Sequence, residues 1–286
     1  METTGTTSVL PGVGGLSKVC LAAPDGARAE VYLQGAHLTS WIPAGGEERL
    51  FLSRTAEFQA GMALRGGVPV IFPQFSGLGP LPKHGFARAS VWEFAGTDTC
   101  TACVAAKFLL RDSATTRARW PHAFLAELTV MLGGPWLEIA LAVTNTGPAA
   151  FGFTAALHTY LRVAEARATV VEGLGGVRYR DEAAGGDAAR LQPEPALTFE
   201  GEVDRLYLNA PRTVIVREPD RQVESVTTGF PDLVVWNPWA DRGAALRDLE
   251  PEGYRRMVCV EAAAAGTPVH LNPDAGWCGS QRLTAG

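Results

Sequence analysis

From Phe124 to Thr144 the chain alternates apolar and polar residues almost without interruption. Phe124, Ala126, Leu128, Val130 and Leu132 are interleaved with Glu127 and Thr129. After Gly133-Gly134-Pro135, the residues Leu137, Ile139, Leu141 and Val143 alternate with Glu138 and Thr144. A period of two puts every second side chain on one face of a strand, which a helix cannot reproduce. Two such runs across a Gly-Pro turn predict an antiparallel hairpin, one face in a core and the other more polar.

The same signal recurs along the chain. Lys18 to Ala23 and Arg28 to Leu33 flank the turn Pro24-Asp25-Gly26. Leu38 to Ile42 stops at Pro43, and Ala102 to Leu110 forms another run. Between Phe151 and Val163, the residues Phe153, Ala155, Leu157, Leu161 and Val163 share one face, with Thr154, His158, Tyr160 and Arg162 on the other. Further short strands are expected near residues 203–208, 213–216, 224–228, 233–236, 257–261 and 269–272. Residues 1–16 read as a flexible lead-in, 111–120 as a loop or one helical turn, and 173–195 as surface loops. Convincing helical period is scarce. Many short strands between turn signals predict an all-β chain, a sandwich or barrel, here as one domain over residues 1–286.

Composition narrows the partners. A net charge of −5 over 286 residues offers no basic face for nucleic acid. No apolar run approaches the roughly 20 residues that cross a bilayer. The N-terminus has neither the basic start nor the apolar core of a secretory signal. Five cysteines at irregular spacings fit reduced thiols in the cytoplasm. Cys100-Thr-Ala-Cys103 has redox or zinc spacing but no second ligand pair, so it reads as two inert thiols beside an apolar strand.

The stretch Arg65 to Phe94 holds the densest chemistry. Arg65-Gly66-Gly67 precedes an apolar run, Val68 to Phe72, long enough for a buried strand. A Gly- and Pro-rich loop follows, then Lys83, His84 and Arg88, and then Ser90 to Phe94, which alternates as a strand should. Clustered cations on a loop are either solvated or an anion site, where arginine forks and loop amides grip a phosphate or carboxylate.

RGGVPVIFP from Arg65, KHGFAR from Lys83 and the Trp92-Glu93 pair together resemble the signature of hexose-6-phosphate mutarotases (glucose-6-phosphate 1-epimerases), a branch of the aldose 1-epimerase superfamily. The resemblance implies a large antiparallel β-sandwich of the galactose-mutarotase-like type, a monomer that acts on a hexose 6-phosphate. Anomer exchange opens the sugar ring and closes it on the other face. A base takes the proton of the C1 hydroxyl, an acid protonates the ring oxygen, and the roles then reverse. The chemistry demands no cofactor and no metal, only a carboxylate and an imidazolium across the ring, each tuned near neutrality.

His158, on the polar face of its strand, is by residue type alone exposed, bonded to a neighbour or lining a cleft. Its segment HTYL resembles the family's catalytic-histidine segment, which makes His158 the general acid. Glu261 ends an apolar run, where carboxylates seldom sit without a partner or a function. Its segment resembles the family's VCVEP, with Ala262 in place of the proline, and this makes Glu261 the base. The resemblance also implies substrate-binding roles. Arg65 and Arg88 would hold the phosphate, joined by Lys83, where relatives often carry Gln, if its amine points inward. His84 would hold the sugar near its ring oxygen, Asp204 in EVDRLYLN would bond sugar hydroxyls, and Trp236 in VVWNPW would form an aromatic wall. His37 reads as structural, and His122 and His270, without clustered partners, read as ordinary surface or satisfied core residues.

Three other readings stay open. The chain could act on unphosphorylated aldoses, or be a non-catalytic sugar-binding module on the same fold. A glycoside hydrolase would need a second well-placed carboxylate beside Glu261.

Overall fold

A computed structural model of the protein describes residues 4–286. Three antiparallel sheets share one apolar core. The hairpin read most clearly from sequence, Phe124–Gly133 with Trp136–Asn145, lies in the largest sheet, where Phe124 faces Asn145 and Leu132 faces Leu137. Residues 124, 126, 128, 130 and 132 of the first strand are buried, as its alternation requires. That nine-stranded sheet shares its core with a second sheet of eight strands, and Leu157, Leu161, Val258 and Val260 of the second belong to the same buried cluster as Leu128, Val130 and Ile139 of the first. A four-stranded sheet built from Thr6–Pro11, Ser17–Ala22, Arg28–Tyr32 and His37–Ile42 adds Val19, Leu21, Val31 and Trp41 to the same core.

The eight-stranded sheet positions the site. Its central strands are Val203–Tyr207, Asp232–Asn237, Met257–Leu271 and Phe151–Leu157, and Tyr160–Arg162 also pairs with Met257–Leu271. In Met257–Leu271, Val258, Val260, Ala262 and Ala264 join the core between the sheets, while Met257, Cys259, Ala263 and Ala265 belong to a second apolar cluster on the outer face. Period two therefore puts Glu261 on that outer face.

Several expectations change. Residues 6–11 are a strand hydrogen-bonded to Ser17–Ala22 rather than part of a flexible lead-in, and their outer face is exposed, so no apolar alternation marks it. Residues 173–195 contain two strands, Arg178–Asp181 and Gly186–Leu191, charged because they form the sheet's edge. Val68 to Phe72 pairs as a strand only at Val70–Ile71, since Pro69 and Pro73 lack the N–H a ladder needs. The next strand begins at Glu93 and not at Ser90. The two expected strands at 257–261 and 269–272 are one, Met257–Leu271. The helix Ala114–Arg119 falls in the expected turn, capped by Ser113, while the helix Trp239–Ala244 and the strand Gly276–Ala285 were not expected. Cys100 and Cys103 are not free thiols. They lie opposite each other at the end of a hairpin, with Cα atoms 5.0 Å apart, and form a disulfide.

Candidate active site

On the outer face of the eight-stranded sheet, a cavity of about 320 Å³ is lined by Arg65, Lys83, His84, Arg88, His158, Asp204, Trp236 and Glu261. These are all eight residues singled out in the sequence. Tyr160, Glu182 and Arg242 also line it.

The floor follows from strand register. Leu157 faces Ala262 and Tyr160 faces Cys259, so His158 lies directly across from Glu261. The His158 Nε2 to Glu261 Oε1 distance is 3.3 Å. The two groups therefore stand side by side, not at opposite ends of a ring-sized gap as expected. Glu261 is only 1% exposed and His158 8%. Tyr160, two residues on and on the same face, stacks on the His158 ring at 4.7 Å with planes 10° apart, and Trp236 meets both rings edge-on. The His158 N–H donates to Pro69 O at 3.0 Å, in register with the pairing of Leu157 and Val70, and the break comes one residue later, where the Thr159 N–H turns to Leu157 O.

Burial is the leading influence on both members of the pair. It pushes the Glu261 carboxyl well above the usual carboxylate range, helped by Asp204 and opposed by Lys83 and Arg88. It pushes His158 well below the usual imidazole range, reinforced by His84, Arg65 and Arg88. A buried pair of this kind is most stable holding one proton between the two groups, since that state has no net charge.

The rim is cationic. Arg65 follows from its glycines: Gly67 has φ +61°, and a Cβ there would lie 2.2 Å from Leu38 O, so only glycine lets the chain pass. Arg65 is already partnered. Its Nε donates to Asp248 Oδ1 at 3.1 Å and its Nη1 to the Tyr160 hydroxyl at 3.0 Å. Arg88 donates from Nη2 to Lys83 O at 2.9 Å, which ties it to the backbone of the same loop. Lys83 lines the cavity as well and is exposed.

His84 sits in the left-handed region at φ +68°, an uncommon conformation for a residue with a side chain. Its Nδ1 accepts the Ser76 N–H at 3.2 Å, which leaves Nε2 as the nitrogen that carries hydrogen. Burial first, then Arg88, Lys83 and Arg65, lower its pKa to about 2, so His84 is a neutral donor. Asp204 lines the cavity from the strand Val203–Tyr207. Burial raises its pKa to about 6, aided by Glu182 and Glu202 and opposed by Arg242 and Lys83. Among the described residues, no group of three or more His, Cys, Asp or Glu side chains is arranged to hold a metal.

Tyr160, Glu182, Arg242 and the Arg65 partner Asp248 were not picked out from sequence. Tyr160 carried a signal, since it shares the polar face of its strand with His158. The other three come from distant segments and carried none. His37 is wholly buried, with Nε2 2.7 Å from Gly66 O, in keeping with a structural role.

The antiparallel sandwich fold is shared with solved structures of the galactose-mutarotase type. One is a galactose mutarotase related enzyme from Lactobacillus acidophilus, with a TM-score of 0.72 at 16% identity over 98% of this chain and 97% of that one. The aldose 1-epimerase family model matches residues 17–284, and the chain belongs to that family. It is an epimerase of the mutarotase kind. A provisionally named mutarotase from Salmonella typhimurium has a TM-score of 0.87 at 30% identity, over 98% of this chain and 96% of its own. A protein from Cenchrus ciliaris, provisionally named a glucose-6-phosphate 1-epimerase, is 37% identical over 95% of this chain and 85% of its own length. One from Escherichia coli K12 with the same provisional name is 38% identical over 83% of this chain and 80% of its own.

Proposed function

We propose that this epimerase interconverts the α and β anomers of hexose 6-phosphates, glucose 6-phosphate foremost, with His158 as general acid and Glu261 as general base. The observation that carries this reading is the 3.3 Å contact between His158 Nε2 and Glu261 Oε1 in a cavity that also holds Arg65, Lys83 and Arg88. The two atoms that exchange protons in the reaction, the C1 hydroxyl oxygen and the ring oxygen, are both bonded to C1. Adjacent acid and base suit adjacent oxygens.

Glu261 as carboxylate takes the C1 hydroxyl proton while His158 as imidazolium gives its proton to the ring oxygen. The bond from C1 to the ring oxygen breaks and C1 becomes an aldehyde. Rotation about C1–C2 turns the other carbonyl face to the ring oxygen. His158 then removes the proton from that hydroxyl as it attacks, and Glu261 returns a proton to O1. The pair ends as it began. His84 donates from Nε2 near the ring oxygen, Asp204 accepts from sugar hydroxyls, and Trp236 forms a wall against the ring. Arg88, Lys83 and Arg65 hold the phosphate by charge-assisted bonds. All these groups come from one chain, so a monomer suffices. The names of the Cenchrus and Escherichia relatives support the phosphorylated substrate.

One observation favours a second reading, action on unphosphorylated aldoses. Arg65 is engaged by Asp248 and Tyr160, which leaves less of its guanidinium for a phosphate. The catalytic assignment is tested by measuring anomer exchange of glucose 6-phosphate by NMR. His158→Asn and Glu261→Gln should each lower kcat by roughly 10²–10⁴, with the double variant little worse than either single one. Near-wild-type exchange by a folded His158→Asn protein would overturn it.

A further inference from the structure

The ladder between the strand of His158 and the strand of Glu261 is missing one rung, and a side chain from the opposite sheet fills the gap. Leu157 faces Ala262 and Tyr160 faces Cys259, so Thr159 lies across from Val260. The Val260 N–H donates to Thr159 O at 3.0 Å. In an antiparallel ladder, such a pair exchanges both bonds, the Thr159 N–H returning to Val260 O. Here the Thr159 N–H turns instead to Leu157 O at 2.9 Å, as the chain kinks to present His158. Val260 O is left without its rung in the middle of the core.

Gln281 supplies the replacement. It lies on Gly276–Ala285 in the nine-stranded sheet, with its side chain directed inward and wholly buried. Its Nε2 donates to Val260 O at 3.0 Å and to Ser225 Oγ at 2.9 Å, and its Oε1 accepts from Thr159 Oγ1 at 2.6 Å. A carbonyl can only accept, so the amide nitrogen must face Val260 and its orientation is fixed. Thr159 and Ser225 are, like Gln281, 0% exposed. Polar groups so deep in a sandwich core are costly unless every partner is met, and here each is met by another member of the set.

We infer that Gln281 is a positioning residue that bridges the two sheets and holds His158 and Glu261 at their working separation. It grips the residue after His158 through a hydroxyl and the residue before Glu261 through a carbonyl. The inference rests on the acid/base assignment of that pair. Without the clamp, Thr159 can return its N–H to Val260 O, which straightens the kink and moves the His158 ring. Displacements of about 1 Å at reacting groups can lower rates about a hundredfold.

The test uses Gln281→Met, which keeps length and apolar volume, Thr159→Val, which removes only the hydroxyl function, their double variant, and Thr159→Ser. For glucose 6-phosphate exchange, Gln281→Met and Thr159→Val should each lower kcat about tenfold or more while KM stays within about twofold. The double variant should be no worse than the poorer single one, and Thr159→Ser should match the wild type. The His158 ring resonances, followed by NMR, should shift in the first two variants and not in Thr159→Ser. Folded variants with lowered Tm but unchanged kcat and unchanged His158 resonances would show that Gln281 serves stability alone, and would overturn the inference. If Gln281→Met does not fold, Thr159→Val carries the test. If His158→Asn proves active, the acid/base assignment fails on its own, and the ring resonances still decide whether Gln281 sets the position of His158.

Discussion

His158 and Glu261 each meet an environment hostile to its charge, and the pair escapes by sharing a proton. A second proton must go to His158, whose pKa burial holds well below 6.5, and the shared proton leaves from Glu261, whose pKa burial holds well above 4.5. The active one-proton form therefore spans a broad window. With a hexose 6-sulfate, which lacks the second phosphate ionisation near 6, kcat/KM should be flat through pH 6.5 and fall only where the shared proton leaves Glu261. An acidic limb centred at or above 6.5 would contradict this. Asp204 gives a stability prediction of definite sign. Its folded pKa is raised from 3.8 to about 6, so the folded state binds more protons than the unfolded between those values. Its contribution to stability is fully present below about 3.8 and is lost as pH rises through about 6. Urea unfolding from pH 4 to 7 should show wild-type stability falling relative to Asp204→Asn across that window, whereas parallel curves would refute the burial argument. These residues were legible in the sequence because they sit in extended motifs that resemble a known family. Asp248, Arg242 and Gln281 were not, because what gives each its place is a partner far along the chain.

Among the elements, strands were legible where one face is core and the other solvent, as in Phe124–Gly133. They were missed where both faces carry polar residues, as in Arg178–Asp181, or where an inward position holds a polar group, as Gln281 does in Gly276–Ala285. The stretch from Arg65 to Phe94 was expected to hold a loop between two strands, Val68 to Phe72 and Ser90 to Phe94. It is instead largely irregular, shaped by prolines and by left-handed residues at Gly66, Gly67, Ser76, His84 and Gly85. Such backbone is held by specific close approaches, so small changes should act strongly. Gly67→Ala combines a positive φ with a Cβ 2.2 Å from Leu38 O. It should destabilise the fold by at least about 1–3 kcal/mol from backbone strain alone and displace Arg65. An unchanged denaturation midpoint would show that the loop can shift to make room. Asp248→Asn tests the rim in the other direction. By loosening Arg65 it should improve KM for glucose 6-phosphate if Asp248 competes with the phosphate, and worsen it if Asp248 aims the guanidinium. The KM for free glucose should not follow in either case.

At the scale of the whole molecule, the formal charge of −5 gives no long-range attraction for the proposed hexose 6-phosphate, which carries nearly two negative charges. Recognition has to come from the cavity rim, where Arg65, Lys83 and Arg88 gather on one irregular segment while Glu261 and His158 lie on the sheet floor beneath. On the proposed reading the sandwich separates two tasks: the sheet would fix the proton-transfer pair by strand register, and the loop would supply charge for the phosphate. Arg88 is the better probe of the second task, because its guanidinium contacts only a backbone carbonyl among the described residues, whereas Arg65 is held by Asp248 and Tyr160. The most direct measurement is anomer exchange by NMR for glucose and glucose 6-phosphate with the wild type and Arg88→Ala. Removal of Arg88 should lower kcat/KM for glucose 6-phosphate by about 2–5 kcal/mol, as for a desolvated charge pair that loses one member, and leave any activity on glucose nearly unchanged. Equal losses on the two sugars would mean that the arginine serves the fold or the ring, and would contradict a hexose 6-phosphate as the substrate.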